Sequence, residues 1–385
     1  MVGTLVPVFK TVSLARATLI YEWRRFLPAV LAVAFAGLLV LVQLGLLLGM
    51  FSTVSVYIDR SAAHLWVGYP NTQSVDLARP ISGKVENHLR MNPEVTAVER
   101  FTWSVGDWRA PNGGKLTAVV IGINSRSDAM TFSGLLSPRL RSLLLTPGNV
   151  LVDVADLYKL GVKVGDNAEL SGKTVRVAGT VTGIRSLGAV NILASLSTAR
   201  YLDANLRKDT TDYFLLRLRD PLRAEAVRAA LQPTGTFKPF EVWTAQEFSF
   251  KSQLYWLLES GAGAGALVAS VLGLLVGVVI TSQTLMGAIL ASLREYATLR
   301  ALGVSTASLR AVVVEQSFWV GVAGLTVTAL ATVGVLGLAR ASHVSLKIPP
   351  EGFVFTAILI LLVALLSGLG ALRALSQAEP STLLR

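Results

Sequence analysis

The sequence predicts an α-helical membrane protein with four transmembrane helices and a large α+β extracytoplasmic domain inserted between the first and second helices. Three observations predict it. Residues 26–50 contain no Lys, Arg, Asp or Glu, and residues 261–375 are apolar over most of their length. Each run divides into stretches long enough to cross a bilayer. Between them, residues 51–252 return to the mixed, turn-rich composition of a soluble protein. Roughly 200 residues suffice for one or two domains with a real core.

Thr11 to Arg25 reads as an amphipathic segment, with Leu14, Ala17, Leu19 and Trp23 set among Arg16, Glu22, Arg24 and Arg25. Such a segment lies along a membrane face and leads into a span. The span that follows exceeds a signal-peptide core, and Ala32, Ala34 and Ala36 fall inside it rather than after it. It reads as retained, and Pro28 suits a first helical turn. Beyond it, Val54–Gly68 is expected to extend the helix outward until the turn at Tyr69–Pro70–Asn71.

In the insertion, Val85–Leu89 reads as a short helix. Val95–Val105 and Leu116–Ile123 read as strands joined by the turn-rich 110–115 stretch. Leu140–Leu145 is expected to be helical, Val150–Val154 a strand and Ala155–Leu160 a helix. Residues 161–183, GVKVGDNAELSGKTVRVAGTVTG, alternate around Gly165–Asp166 and Ser171–Gly172–Lys173 and predict a small antiparallel element. Gly172–Lys173 is not a phosphate loop, because it lacks the preceding glycine spacing and joins strands. Tyr213–Leu218 reads as a strand and Leu222–Leu231 as an amphipathic helix, so the insertion is α+β with room for two subdomains.

Leu254 to Ile280 begins amphipathic, becomes fully apolar and is expected to run on toward Met286; Gly261, Gly263 and Gly265 permit close helix approach. Ala311–Leu338 supplies a third span with Glu315 near its start, where a carboxylate stays wet. Phe353–Leu372 supplies the fourth. The resulting domain boundaries are 1–25, 26–50, 51–252, 253–286, 287–309, 310–338, 339–352, 353–373 and 374–385. Lys10, Arg16, Arg24, Arg25, Arg294, Arg300, Arg310 and Arg373 fall on one side, against Arg340 and Lys347 in the short loop opposite. The bias predicts cytoplasmic termini and an outside insertion.

The formal net charge of +11 is dispersed beside apolar runs, which suits a membrane surface better than nucleic acid. With no cysteine, a disulfide scaffold and a thiolate site are excluded. There is no GxxxxGK[ST] phosphate loop, no G-x-S-x-G elbow and no His-carboxylate cluster. His64, His88 and His343 stand apart and read as solvent-facing. The chain is therefore expected to have no catalytic, cofactor or metal site of its own.

Between the second and third spans lies Ser292–Ser305, SLREYATLRALGVS. Arg294, Glu295 and Arg300 are spaced among Leu293, Leu299 and Leu302, with Gly303 as a stop signal. A solvated connector is the plain reading of that spacing. The pattern nevertheless closely resembles the cytoplasmic loop of MacB-like and FtsX-like ABC exporter permeases. The tail ALRALSQAEPSTLLR, Ala371–Arg385, and the order of one span, large outer domain and three spans are similar too. Tyr21–Leu46, YEWRRFLPAVLAVAFAGLLVLVQLGL, looks like the first span of the DevC-like permeases, although His-Glu-Lys is common there where this chain has Tyr21, Glu22, Trp23 and Arg24.

The resemblance implies a non-catalytic subunit in a bacterial inner membrane, paired with a second permease copy and a cytoplasmic ATPase dimer that binds ATP and Mg. A periplasmic adaptor and a TolC-like outer-membrane channel are further implied partners. It assigns the coupling of ATPase motion to Leu293–Gly303: Arg294 and Glu295 in polar contacts, Leu299 and Leu302 as apolar anchors, Arg300 toward an acidic partner surface and Gly303 as helix stop. The expected cargo is a lipid, glycolipid or peptide. A lipoprotein-release permease and an FtsX-like regulator of a cell-wall hydrolase are the rivals, and a receptor that needs no ATPase is a third.

Overall fold

The computed structural model describes residues 14–186, 188–203, 207, 209–235, 237–292, 295, 298–299, 302–341, 346 and 348–377. The chain divides into two compact units, residues 1–49 with 265–385, and residues 50–264. Among the described residues, four helices have the length and composition to cross a membrane, with candidate spans Trp23–Val54, Gly263–Ala291, Ala307–Ala339 and Pro350–Gly370. The expected class, four spans with an α+β domain after the first, is the one observed.

In the first unit, α1 (Leu14–Tyr21) and α2 (Trp23–Val54) replace a single amphipathic segment, with a break at Glu22. The remaining spans are α10 (Gly261–Ala291), α11 (Thr306–Ala341) and α12 (Pro350–Gln377). Phe26, Val33, Ile289, Val313 and Ala364 lie in one buried cluster. Small residues permit the helices to approach. A Cβ on Gly324 would come within 2.3 Å of Val33, and one on Gly277 within 3.0 Å of Ala36. The glycines expected to do this behave otherwise: Gly261 and Gly265 have nothing within 4 Å. Gly263 faces the Trp256 carbonyl, where a Cβ would lie at 1.8 Å, just after the break that ends α9 (Ala245–Leu258). Small residues earn close packing only where a partner helix faces them.

The second unit holds α3 (Val56–Asp59), β1 (Leu65–Gly68), β2 (Ile81–Ser82), α4 (Val85–Arg90), β3 (Val95–Arg109), β4 (Lys115–Ile123), α5 (Pro138–Leu143), β5 (Asn149–Asp153) and α6 (Leu157–Leu160). It continues through β6 (Asn167–Leu170), β7 (Lys173–Val181), β8 (Val190–Ser195), α7 (Leu196–Leu202), β9 (Thr210–Thr211), β10 (Tyr213–Leu218), α8 (Ala224–Leu231) and β11 (Glu241–Thr244), before α9. The long strand β3 belongs to two structures. Its first half pairs with β10 in the antiparallel run β11-β1-β10-β3, with Val98 opposite Leu216. Its second half pairs with β4, and Trp108 and Arg109 also pair with β6. The order β3-β4-β8-β5-β7-β6 thereby closes on itself as a six-stranded ring. Trp108, Val120, Val152, Leu170 and Ile192 share a core within that part. Phe214, Leu216, Val227, Leu231 and Val242 form a core beneath α4 and α8.

Several elements differ from expectation. The helix does not continue to Gly68: α3 stops at Asp59, and Leu65–Gly68 is a strand between β10 and β11, buried at all four positions. Two strand neighbours outweigh the helical continuation there. The turn Ser171–Gly172 has positive φ at both residues, 52° and 76°, and joins β6 to β7 as the expected antiparallel hairpin. His64 is not free in solvent; its Nδ1 accepts the Leu218 backbone N–H at 3.0 Å. His88 lies near Phe240, and His343 lies outside the described residues.

Candidate coupling segment

The segment between α10 and α11 is anchored before it turns. Ser292, just past α10, is fully buried. Among the predicted site residues, Glu295, Leu299, Leu302 and Gly303 are described, whereas Leu293, Arg294 and Arg300 lie outside the described residues. Residues 295, 298 and 299 are helical. Leu299 packs against the cluster that holds Phe26, Leu285, Ile289 and Val313, so one side of the segment rests on the spanning helices. Leu302 faces the other way and is 78% exposed. The structure thus separates the two leucines expected to act together: one is an internal anchor, the other is open.

The end of this helix is a capping structure legible in sequence. Gly303 has φ of 93°. The Val304 N–H donates to the Leu299 carbonyl and the Leu302 N–H to the Thr298 carbonyl, each at 3.0 Å. This is a Schellman-type closure, in which a left-handed residue lets the following N–H reach back to a free carbonyl. Val304 also packs on the cluster that takes Leu299. Ser305 then starts the next helix, its Oγ accepting the Ser308 N–H at 3.1 Å as an N-cap does. Helix stop and helix start therefore stand two residues apart, at Gly303 and Ser305.

Glu295 makes the polar contact that sequence spacing does not identify. Its Oε1 lies 3.1 Å from Arg25 Nη1, and the same nitrogen lies 2.6 Å from Glu22 Oε2. Arg25 is thus a shared cation between the start of the first span and the segment, 270 residues apart. Further along α11, Glu315 pairs with Arg16 at 3.8 Å, and the Arg16 guanidinium stands 4.4 Å from the Trp319 ring centre. Glu315 is therefore part-exposed and paired, in keeping with a carboxylate at a wet end. Arg16 and Arg25 were legible as charges near a membrane end. Their carboxylate partners were not, because the pairing depends on which helices adjoin. Among the described residues no group of three His, Asp or Glu side chains is placed to hold a metal.

The profile of the MacB-like periplasmic core domain matches residues 26–234, more than half of the chain. That of the FtsX-like permease C-terminal region matches residues 267–380. None of the curated proteins matches. Solved structures similar in part include the periplasmic region of MacB from Actinobacillus actinomycetemcomitans, at 16% identity and TM-score 0.36, covering 49% of this chain and 92% of that one. The extracellular domain of the noncanonic ABC-type transporter YknZ from Gram-positive bacteria is 12% identical with TM-score 0.33, covering 47% of this chain and 99% of that one. A domain of a putative permease protein from Porphyromonas gingivalis is 16% identical with TM-score 0.31, covering 45% and 82%.

Proposed function

The chain belongs to the MacB-like and FtsX-like family of ABC-transporter permeases, and on that premise we propose that it carries motion from a separate cytoplasmic ATPase to its extracytoplasmic domain. The family implies an inner-membrane protein, an ATPase partner and no catalysis by the permease alone. The finer reading is that Leu293–Gly303 is the coupling helix. The observation that supports it is the division of labour within the segment. Leu299 packs on the chain's own spans and Glu295 is tied to Arg25, while Leu302 stands exposed beside the Gly303 turn.

A helix gripped on one side and open on the other transmits a push when a partner groove takes the open side. Leu302 suits an apolar groove, where burying its side chain stabilises docking by about 1.5–3 kcal/mol. Arg300 is the proposed partner for an acidic surface of the ATPase, and Arg294 a further polar contact. Two permease copies with two ATPase subunits, a periplasmic adaptor and a TolC-like channel complete the assembly in the DevC-like form of the proposal, with a lipid, glycolipid or peptide as cargo. ATP and Mg bind the ATPase subunits.

The test is capture of the complex with its ATPase in mild detergent. Leu302→Glu is expected to abolish co-purification or to cut ATP-driven transport by tenfold or more, about the effect of losing 1.5–3 kcal/mol of apolar burial. Arg300→Glu is expected to act in the same direction. Normal assembly and transport in both variants removes the segment from the mechanism.

A further inference from the structure

A second feature lies wholly within the extracytoplasmic unit. A cavity of about 250 Å³ opens beside the neighbouring strands β3 and β4. Val105 and Val119 are direct cross-strand partners in its wall, and Trp103 and Thr117 continue the same face one alternation away on their strands. Thr53 and Val54 at the end of α2, Tyr57 of α3 and Trp256 of α9 line it too, with Ser186, Gly188 and Ala189 before β8. Val105 is left 56% exposed there, which is unusual for a strand valine beside two tryptophans. Asp76 is the only charged residue among those lining the cavity.

Asp76 is held but not neutralised. Its carboxylate accepts the Trp256 indole N–H, 3.1 Å from each oxygen, and the Ser74 hydroxyl. Among the described residues no Lys, Arg or His forms an ion pair with it. The Trp103 indole N–H is buried on the Tyr57 side and is not open to the cavity. Three aromatic side chains and one carboxylate with no basic partner among the described residues therefore surround the same space.

We propose that this cavity binds a small ammonium, the chemistry shared by ethanolamine, choline and the lipid headgroups built on them. The cation pairs with Asp76 and lies among aromatic surfaces, whose electron-rich faces attract it. The volume is below the usual range for drug-sized ligands, so it admits a headgroup and not a lipid body.

The experiment uses the full chain in neutral detergent and in lipid nanodiscs. Calorimetric titration with choline and with ethanolamine reads free amines. Thermal stability in nanodiscs of phosphatidylglycerol, with and without phosphatidylethanolamine, reads the headgroup. Saturable binding of a soluble amine assigns the site to free ligands. Stabilisation by phosphatidylethanolamine without soluble binding assigns it to the lipid. In either arm Asp76→Asn, which keeps acceptors for Trp256 and Ser74, is expected to weaken the effect about tenfold or more. Trp103→Leu removes one aromatic surface, leaves the carboxylate network in place and is expected to weaken it severalfold, which reads the site independently of the Asp76 variant. No response in either arm, or responses unchanged in both variants, overturns the proposal.

Discussion

Arg25 stands between Glu22 and Glu295, with side-chain exposure of 21% for the arginine and 50% for Glu295. Partial exposure keeps such a pair weak, so it orients the 292–305 segment more than it stabilises the fold. A double-mutant cycle with Arg25→Gln and Glu295→Gln is expected to return a coupling of about 0.2–1 kcal/mol in thermal or denaturant stability. A coupling of zero would mean that the pair does not hold the segment. Asp212 is a different case. It is buried, it accepts the Trp103 backbone N–H at 2.9 Å, and burial pushes its carboxyl up from 3.8 to about 6. An acid with a raised folded-state value holds its proton more tightly in the native protein. Below 3.8 the group is neutral in both states and costs nothing. As pH rises from 3.8 through about 6 the native state must ionise a buried group, and stability falls by roughly 3 kcal/mol in all. Asp212→Asn keeps an acceptor for Trp103 and is expected to flatten the fall, read as unfolding midpoints between pH 4 and 7. The residue types of the 292–305 segment were legible in sequence, as was the helix stop at Gly303. The role of Arg25 was not, because a salt bridge over 270 residues leaves no local pattern.

At the scale of elements, apolar runs announced the spans, but which faces meet was hidden in them. Gly324 and Gly334 lie on the same helix, α11, and sequence does not separate them. A Cβ on Gly324 would lie 2.3 Å from Val33 Cγ1, while Gly334 has nothing within 4 Å. Gly324→Ala is expected to cost about 1–3 kcal/mol through overpacking. Gly334→Ala is expected to be neutral or to gain up to about 1 kcal/mol from helix propensity. Thermal unfolding in detergent checks both, and equal effects would dismiss the close contact of the first and third spans. In the outer unit, the hairpin at Ser171–Gly172 was readable because positive φ at two adjacent residues follows from turn chemistry. The strands β1, β8 and β11 were not read from sequence. All four residues of β1 and all six of β8 are buried, so neither strand shows the period-two alternation that marks a half-exposed strand.

For the whole molecule, the charge bias of the short segments carries the proposed orientation. Reporter fusions test it: alkaline phosphatase joined after residue 150 is expected to be active, and joined after residue 300 inactive, with the opposite pattern reversing the topology. Sequence alone determined the class, because solvent partition is local: an uncharged run of more than twenty residues is compatible with lipid wherever it sits, and 200 mixed residues are not. It also determined the stop at Gly303, since a left-handed residue is a property of one position. Tertiary structure decided what adjoins what. It joined Arg25 to Glu295, buried Leu299 while leaving Leu302 open, closed six strands into a ring through β3 and set Asp76 unpaired beside Trp103 and Trp256. Each of these depends on residues far apart in the chain reaching one place, and short-range periodicity holds no record of that distance.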